Sequence, residues 1–307
     1  VVHLLQDVDA SLLLDSIAKN LSSIEFKACP NLGSSFCAGL SSNYSKDGGG
    51  HLLELSLEDL QLSKENLLPL AMSDAMRNLK SLTLRHLENV DDEVVTKIFK
   101  GCQDLESIDL MGCYQITDDS LSAIRSGNVN GTLRCLQLGG LKNLSEAGLE
   151  TLFTPVISGL PSPPMLRKID LSSCYYKSVT DNILDLICKA SSMKRDQSGE
   201  ISQQLSTIGG LVHVNINGSS CSDTTMECLV STCSSSLKEL SISFTPNITD
   251  KGLGYLVSNV GSQLRKIHIW GCAQVGEEFL DGHGRVDDPS LHVIGAWIKK
   301  GNMQSSK

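Results

Sequence analysis

A pattern of leucine, isoleucine, cysteine and Thr-Asp recurs along this chain and restricts what the chain can fold into. Residues 105–124 read LxxIxLxxCxxITDxxLxxI. The pattern returns over 166–181 with two extra residues in the turn, and over 237–256 with Thr245 in place of the cysteine. A single unit of this size cannot bury its apolar face alone, so the pattern predicts stacked copies of one structural unit.

The template places nine repeat starts, and we number positions within a repeat as offsets from its starting leucine. The starts are Leu21, Leu52, Leu79, Leu105, Leu133, Leu166, Leu211, Leu237 and Leu264. The base period is therefore about 26 to 28 residues, within the range of leucine-rich repeats. A degenerate tenth start at Leu291 predicts a capping strand.

Each repeat combines the signals of a strand and a helix. The leucines of LxxLxL alternate as in a short strand, Thr-Asp is a helix N-cap, and the following LxxL provides an apolar helix face. We therefore predict an α/β leucine-rich-repeat solenoid, a horseshoe with a concave parallel sheet and convex helices. It forms one domain over 1–307, with about nine repeats and a C-terminal cap. Val8, Leu12 and Ile17 suggest the helical half of a repeat, so we expect the chain to be a fragment that lacks upstream repeats or an N-terminal module.

Composition and charge exclude several classes of partner. Only 4% of residues are aromatic, so the core must be aliphatic. The net charge is −9, so electrostatic capture of nucleic acid or anionic lipid is not expected. No stretch approaches the roughly 18 apolar residues of a membrane span.

The eleven cysteines fit the repeat better than a disulfide framework or a zinc site. Cys29, Cys113, Cys174 and Cys272 each follow a repeat start by eight residues, where a small buried side chain is expected. No closely spaced pair matches zinc-ligand spacing. We expect free thiols, no metal and no cofactor, in an intracellular protein of the cytoplasm or nucleus.

The cysteine in the turn and the Ile-Thr-Asp before the helix resemble the cysteine-containing subclass of leucine-rich repeats. This subclass occurs in F-box/leucine-rich-repeat proteins and in nucleotide-excision-repair relatives that lack an F-box. The resemblance implies a non-catalytic solenoid that binds a protein client within a ubiquitin ligase of the F-box/cullin type. A cullin-ligase adaptor would bind through a segment upstream of Val1. The alternative is a scaffold without an F-box, in nucleotide excision repair or cell-cycle regulation.

Partner recognition is expected on the concave face, to which offsets two, four and six point. These positions carry six acidic and four basic residues, so we do not expect a phosphate-binding stripe. The candidates for partner binding are Arg85, Met111, His213, Lys266, His268 and Trp270. Two alternatives remain open: Trp270 packs under a C-terminal cap around Trp297, and the other candidates are ordinary surface residues.

Three repeats are longer than the base period, through the segments Ser41–Gly50, Thr154–Pro164 and Lys189–Gly210. We interpret these as loops and the polar 189–210 segment as a mobile one. Neutral length variation is the default, and a lid or a partner contact stays open as an alternative for each. No nucleophile elbow, phosphate loop or HExxH pair is present. We therefore expect no catalytic residue. His213 and His268 lie two repeats apart, about 10 Å at a strand spacing of about 5 Å, so we do not expect them to share a metal ion.

Overall fold

A computed structural model describes residues 5–44, 51–128, 130–155, 162–192, 194–195, 201–202, 210–282 and 289–295. The chain divides into two compact units, Val1–Leu166 and Arg167–Lys307. The predicted segments 45–50, 156–161 and most of 193–209 lie outside the described residues, as does Trp297.

The first unit alternates helices and strands. Its elements are α1 (Asp7–Ile17), β1 (Ser23–Lys27), α2 (Ser34–Asn43), β2 (Glu54–Glu58), α3 (Lys64–Ala71), β3 (Ser81–Arg85), α4 (Asp92–Gly101), β4 (Ser107–Asp109), α5 (Asp118–Gly127), β5 (Cys135–Gln137) and α6 (Glu146–Phe153). Short 3-10 turns cover Ala18–Asn20 and Asp74–Met76.

The second unit repeats this alternation. Its elements are β6 (Lys168–Asp170), α7 (Asp181–Ser192), β7 (Lys194–Arg195), β8 (Ile201–Ser202), β9 (His213–Asn215), α8 (Asp223–Cys233), β10 (Glu239–Ser241), α9 (Asp250–Asn259), β11 (Lys266–His268), α10 (Glu277–Gly282) and β12 (His292–Ile294), with a 3-10 turn at Tyr176–Ser178. Strands β7 and β8 form an antiparallel pair inside the 189–210 segment, where only a loop was predicted.

Each of the nine full repeat starts is followed two residues later by the first residue of a strand, and β12 begins one residue after the degenerate start at Leu291. Within each unit these strands pair in parallel and in the same register, so that Ser81 lies opposite Ser107 and His213 opposite Glu239. The side chains at offsets three and five, such as Leu55 and Leu57, are buried in all nine repeats except for Phe26, which is partly exposed. The prediction of an α/β leucine-rich-repeat solenoid is confirmed.

An aspartate near the start of six helices accepts hydrogen bonds from the first turn of the next helix. Asp92 begins α4, and its carboxylate accepts the backbone N–H of Thr117 at 2.9 Å and the Thr117 hydroxyl at 2.7 Å. Ser120 donates its N–H and its hydroxyl to the same carboxylate. The corresponding bonds join Asp7 to α2, Asp118 to α6, Asp181 to α8, Asp223 to α9 and Asp250 to α10.

This carboxylate limits which side chain fits at the third residue of the next helix. A Cβ atom on Gly148 would lie 2.1 Å from Oδ1 of Asp118, and one on Gly252 would lie 2.0 Å from Oδ1 of Asp223. Helices α6 and α9 therefore carry glycine there, because the aspartate of the preceding repeat occupies the space. In α5 a serine, Ser120, fits by donating its hydroxyl instead.

The residue at offset seven adopts a left-handed backbone in nine repeats, and it is glycine in four of them. The glycines are Gly112, Gly140, Gly218 and Gly271, and the other residues are Ala28, Asp59, His86, Ser173 and Phe244. In seven of these repeats, four in the first unit and three in the second, the N–H at this offset donates to a carbonyl at offset six of the next repeat, as His86 does to Met111 at 2.9 Å. Any side chain at offset seven therefore lies beside the following repeat.

The cysteines at offset eight are buried and free, as predicted. Cys113 donates its thiol to the carbonyl of Leu84 at 2.7 Å, and Cys272 donates to that of Ile242 at 3.0 Å. Thr245 replaces the cysteine in its repeat and directs its hydroxyl to Ile216, at 3.4 Å. These hydrogen bonds join each turn to the end of the strand in the preceding repeat.

Helix α1 forms as predicted, but it packs through a different face. Val8 and Leu12 are each 59% exposed, whereas Ala10 and Leu14 are buried. The Asp7 carboxylate caps α2 and fixes the rotation of α1. Ser11 then lies against Gly39 of α2, and the side chains of Val8 and Leu12, which suggested a buried face, point to solvent.

Replacing Asp92 with alanine should destabilise the chain by about 2 kcal/mol, because the first turn of α5 loses several charge-assisted hydrogen bonds. The control is Asp119→Ala, which removes an exposed charge from the same helix turn and should cost about 0.5 kcal/mol. Urea unfolding at pH 7 measures both, and equal costs would contradict a special role for Asp92.

The cost of Asp92→Ala should also depend on pH. Burial opposes ionisation of Asp92, but the hydrogen bonds from Ser120 and Thr117 outweigh it, so its pKa is lowered. A lowered pKa stabilises the folded state above the unfolded-state pKa of about 3.9, and the effect is lost as the pH falls through the folded value. Unfolding curves below pH 4 should therefore show a smaller difference between Asp92→Ala and the parent chain.

Thiol titration of the native chain should find at most two groups that react readily. Cys135 and Cys228 are partly exposed, and the other nine cysteines are buried. Burial raises the pKa of Cys102 and of Cys113 to about 12, so neither access nor ionisation favours reaction. The remaining thiols should react only after denaturation. Rapid labelling of most thiols in the folded chain would show that these turns open in solution.

Candidate functional site

The predicted partner-binding residues fall into both units and therefore do not form one described site. Arg85 and Met111 belong to the first unit, and His213, Lys266, His268 and Trp270 belong to the second. All six lie on or just after the sheet strands, at offsets two, four and six.

The sheet face of the first unit contains a buried polar cluster. Arg85 contacts Oδ2 of Asp109 through Nη2 at 2.5 Å and through Nε at 2.6 Å. Gln137 donates to the same oxygen at 2.7 Å. Asp109, at offset four, is only 2% exposed, because its neighbours on the same face enclose it. Arg85 is thus committed to Asp109, and Met111, which is half-buried beside this cluster, offers little free surface.

A row of ionisable side chains crosses the sheet face of the second unit at offset two. Nδ1 of His213 lies 3.3 Å from Oε2 of Glu239, and Nζ of Lys266 lies 3.9 Å from Oε1 of the same residue. All three are partly exposed, so the contacts are weak and easily exchanged for contacts with another molecule. His268, one row further along, has a pKa lowered by burial and then by the charge of Lys266.

Trp270 is 49% exposed at the end of β11. Its ring lies against Gly295, where a Cβ atom would be 2.5 Å from Cγ of the indole. Because Trp297 lies outside the described residues, the structure does not test packing against it. Half of the Trp270 side chain is nevertheless available at the surface, as the partner-binding hypothesis requires.

Phe244 lies next to Trp270 and was missed in the sequence. Its N–H donates to the Trp270 carbonyl at 2.6 Å, and its ring covers Gly271. It is 66% exposed and has φ 58°. Aligning the repeats would have revealed it, because glycine or a small or polar residue occupies this offset in the other eight repeats. We call Phe244 and Trp270 the aromatic pair.

One group of potential metal ligands occurs in the part of the chain that the structure describes. Glu58, Asp59 and His86 each offer a ligand atom, and these atoms lie within 4.8 Å of one another. Sequence spacing did not reveal this group, because its members belong to successive repeats rather than to one motif.

The described helices include none that is long and apolar enough to span a membrane.

Comparison with known proteins agrees with the repeat structure. A family model described as a leucine-rich repeat matches residues 233–257. F-box/LRR-repeat protein 4 of Bos taurus is 33% identical over 122 residues, which cover 39% of this chain and 18% of that protein. The chain thus matches less than a fifth of this relative's length.

Among solved structures, that of the yeast Rad7 and Elc1 complex aligns with a TM-score of 0.47 and 17% identity, over 95% of this chain and 88% of that one. The family-model match lies in the eighth repeat, and strands begin in the same register at all nine full repeat starts. In residues 233–257 the chain is similar to the leucine-rich-repeat family, and its strands and helices form the repeat fold.

Proposed function

We propose that this chain recognises a protein client through the aromatic pair, as the non-catalytic binding part of a ubiquitin-ligase assembly. The observation that carries the proposal is the exposure of Phe244 and Trp270 side by side on one edge of the second unit. Exposed aromatic side chains that can be desolvated by a partner are typical binding hot spots.

The side chain of Phe244 contributes little to the stability of the fold. A left-handed backbone costs a non-glycine residue about 1 kcal/mol or more, and two thirds of its surface remains in water. Four other repeats use glycine at the same offset. A bulky ring that folding does not require is best explained by contact with another molecule.

The surroundings of the aromatic pair suit a mixed apolar and acidic client segment. Lys266 and His268 lie on β11, directly before Trp270. The rings would bury apolar side chains of the client, and Lys266 could exchange its long contact with Glu239 for a client carboxylate.

The ligase assignment is supported by sequence similarity to an F-box/LRR-repeat protein. An adaptor of the cullin ligase would bind outside the repeats, through a segment upstream of Val1. The cytoplasm or nucleus would suit the eleven free thiols of the chain.

Trp270→Ala should weaken client binding by about 2 kcal/mol, and Phe244→Gly should weaken it similarly. Neither variant should lower the melting temperature by more than a few degrees, because both side chains are largely exposed. Phe244→Gly also relieves the strain of a left-handed backbone at a non-glycine residue. The matched control is Tyr255→Ala, since Tyr255 is 46% exposed on helix α9 and should not affect binding.

Quantitative affinity purification with the parent chain and these three variants identifies proteins lost with both aromatic-pair variants but retained with Tyr255→Ala. Calorimetry with the purified client then measures affinity. Equal recovery with all four proteins would refute the surface assignment. Recovery of DNA-repair factors without any ligase component would refute the ligase assignment while keeping the surface.

A further inference from the structure

Two successive turns of the first unit bring three different ligand side chains together. Glu58 ends β2, Asp59 follows it, and His86 follows β3 one repeat later. Nδ1 of His86 lies 2.9 Å from Oδ1 of Asp59, a hydrogen-bond distance. Two ligands at about 2.1 Å from a tetrahedral ion are about 3.4 Å apart, so a small side-chain movement would make room for an ion. Glu58, Asp59 and His86 each offer one ligand atom, and these three atoms lie within 4.8 Å of one another.

The imidazole ring has a defined orientation. A Cβ atom on Gly112 would lie 2.1 Å from Cδ2 of His86, so the Cδ2 edge of the ring faces that glycine. Nδ1 is on the opposite edge and faces Asp59. Gly112, in the fourth repeat, therefore leaves room for the ring orientation that turns Nδ1 towards the carboxylates.

The backbone of both turns is also fixed. The Asp59 N–H donates to the carbonyl of Arg85 at 3.1 Å, and the His86 N–H donates to that of Met111 at 2.9 Å. Each ligand is thus anchored to the following repeat before any ion binds, which reduces the ordering cost of binding.

The local charge favours a cation. Two carboxylates face one ammonium group, because Nζ of Lys27 lies 2.7 Å from Oε1 of Glu58. The Arg85 guanidinium is bound to Asp109. Lys27 is 56% exposed, so its flexible side chain can leave Glu58 at small cost.

We propose that Glu58, Asp59 and His86 bind one divalent first-row transition-metal ion, with Zn²⁺ as the representative, and that the ion displaces Lys27 from Glu58. One imidazole and two carboxylates form a ligand set suited to such ions. Three protein ligands leave a coordination position for water or for a carboxylate or imidazole of a bound partner. The site lies in the first unit and does not depend on the aromatic pair.

Calorimetric titration of the reduced chain with ZnCl₂ should show one site. His86→Gly should lower the affinity at least about tenfold, as loss of a ligand does, without straining a left-handed position that is glycine in four other repeats. Asp59→Asn should also weaken binding. Lys27→Met should strengthen it, because the competing ammonium is removed.

The control is His213→Ala. Nδ1 of His213 also faces a carboxylate, at 3.3 Å from Glu239, but it is not part of the three-ligand group. Its loss should leave Zn²⁺ affinity unchanged. Thermal unfolding of each metal-free variant confirms that it is folded.

Mn²⁺, which binds thiols weakly, locates the site independently of the cysteines. It should broaden the amide NMR signals of Glu58, Asp59 and His86 in the parent chain, and less so in His86→Gly. Equal Zn²⁺ affinity in the parent chain and His86→Gly, or broadening elsewhere only, would assign the ion to other groups and overturn the proposal.

Discussion

The aspartate that begins one helix and caps the next is the interaction on which the rest of each unit depends. A carboxylate such as that of Asp92 satisfies orphan N–H groups at the positive end of α5 and so fixes the height and rotation of that helix relative to its neighbour. The strands then pair in a constant register, and the residues at offsets six and seven reach the same edge in each repeat. The aromatic pair and the Glu58–Asp59–His86 group both lie at such edges.

The fold was predictable because its signals are short-range and repeated. A leucine start followed by alternating apolar residues specifies a strand wherever it occurs, and all ten starts precede one. A residue of similar hydrogen-bonding chemistry can also replace the cysteine of the pattern. Thr245 interrupts the cysteine pattern, yet its hydroxyl faces a carbonyl in the preceding repeat just as the thiol of Cys272 does. The offset therefore mattered more than the residue type.

Contacts between repeats were not predictable in the same way, because they depend on which side chain the next repeat presents. Arg125 has the sequence context of a surface charge in the last turn of α5, but it is fully buried. Its guanidinium donates to carbonyls at the C-terminal end of α6, including Thr151 and Thr154, where a cation also suits the helix dipole. Asp109 lies at an offset that points to the concave face, but Arg85 and Gln137 enclose its carboxylate. In both cases the partner lies one repeat away.

The residue in the left-handed turn, at offset seven, can vary while the packing of the repeats stays the same. Since caps, buried leucines and strand register are set at other offsets, the residue at offset seven can be glycine, histidine or phenylalanine without altering the stacking of repeats. What the following repeat must provide is space: Gly112 beside His86 and Gly271 beside Phe244 have no Cβ atom that would collide with the ring. A bulky residue at this offset therefore requires a glycine one repeat later, and such pairs show where a repeat protein of this kind has placed side chains for purposes other than folding.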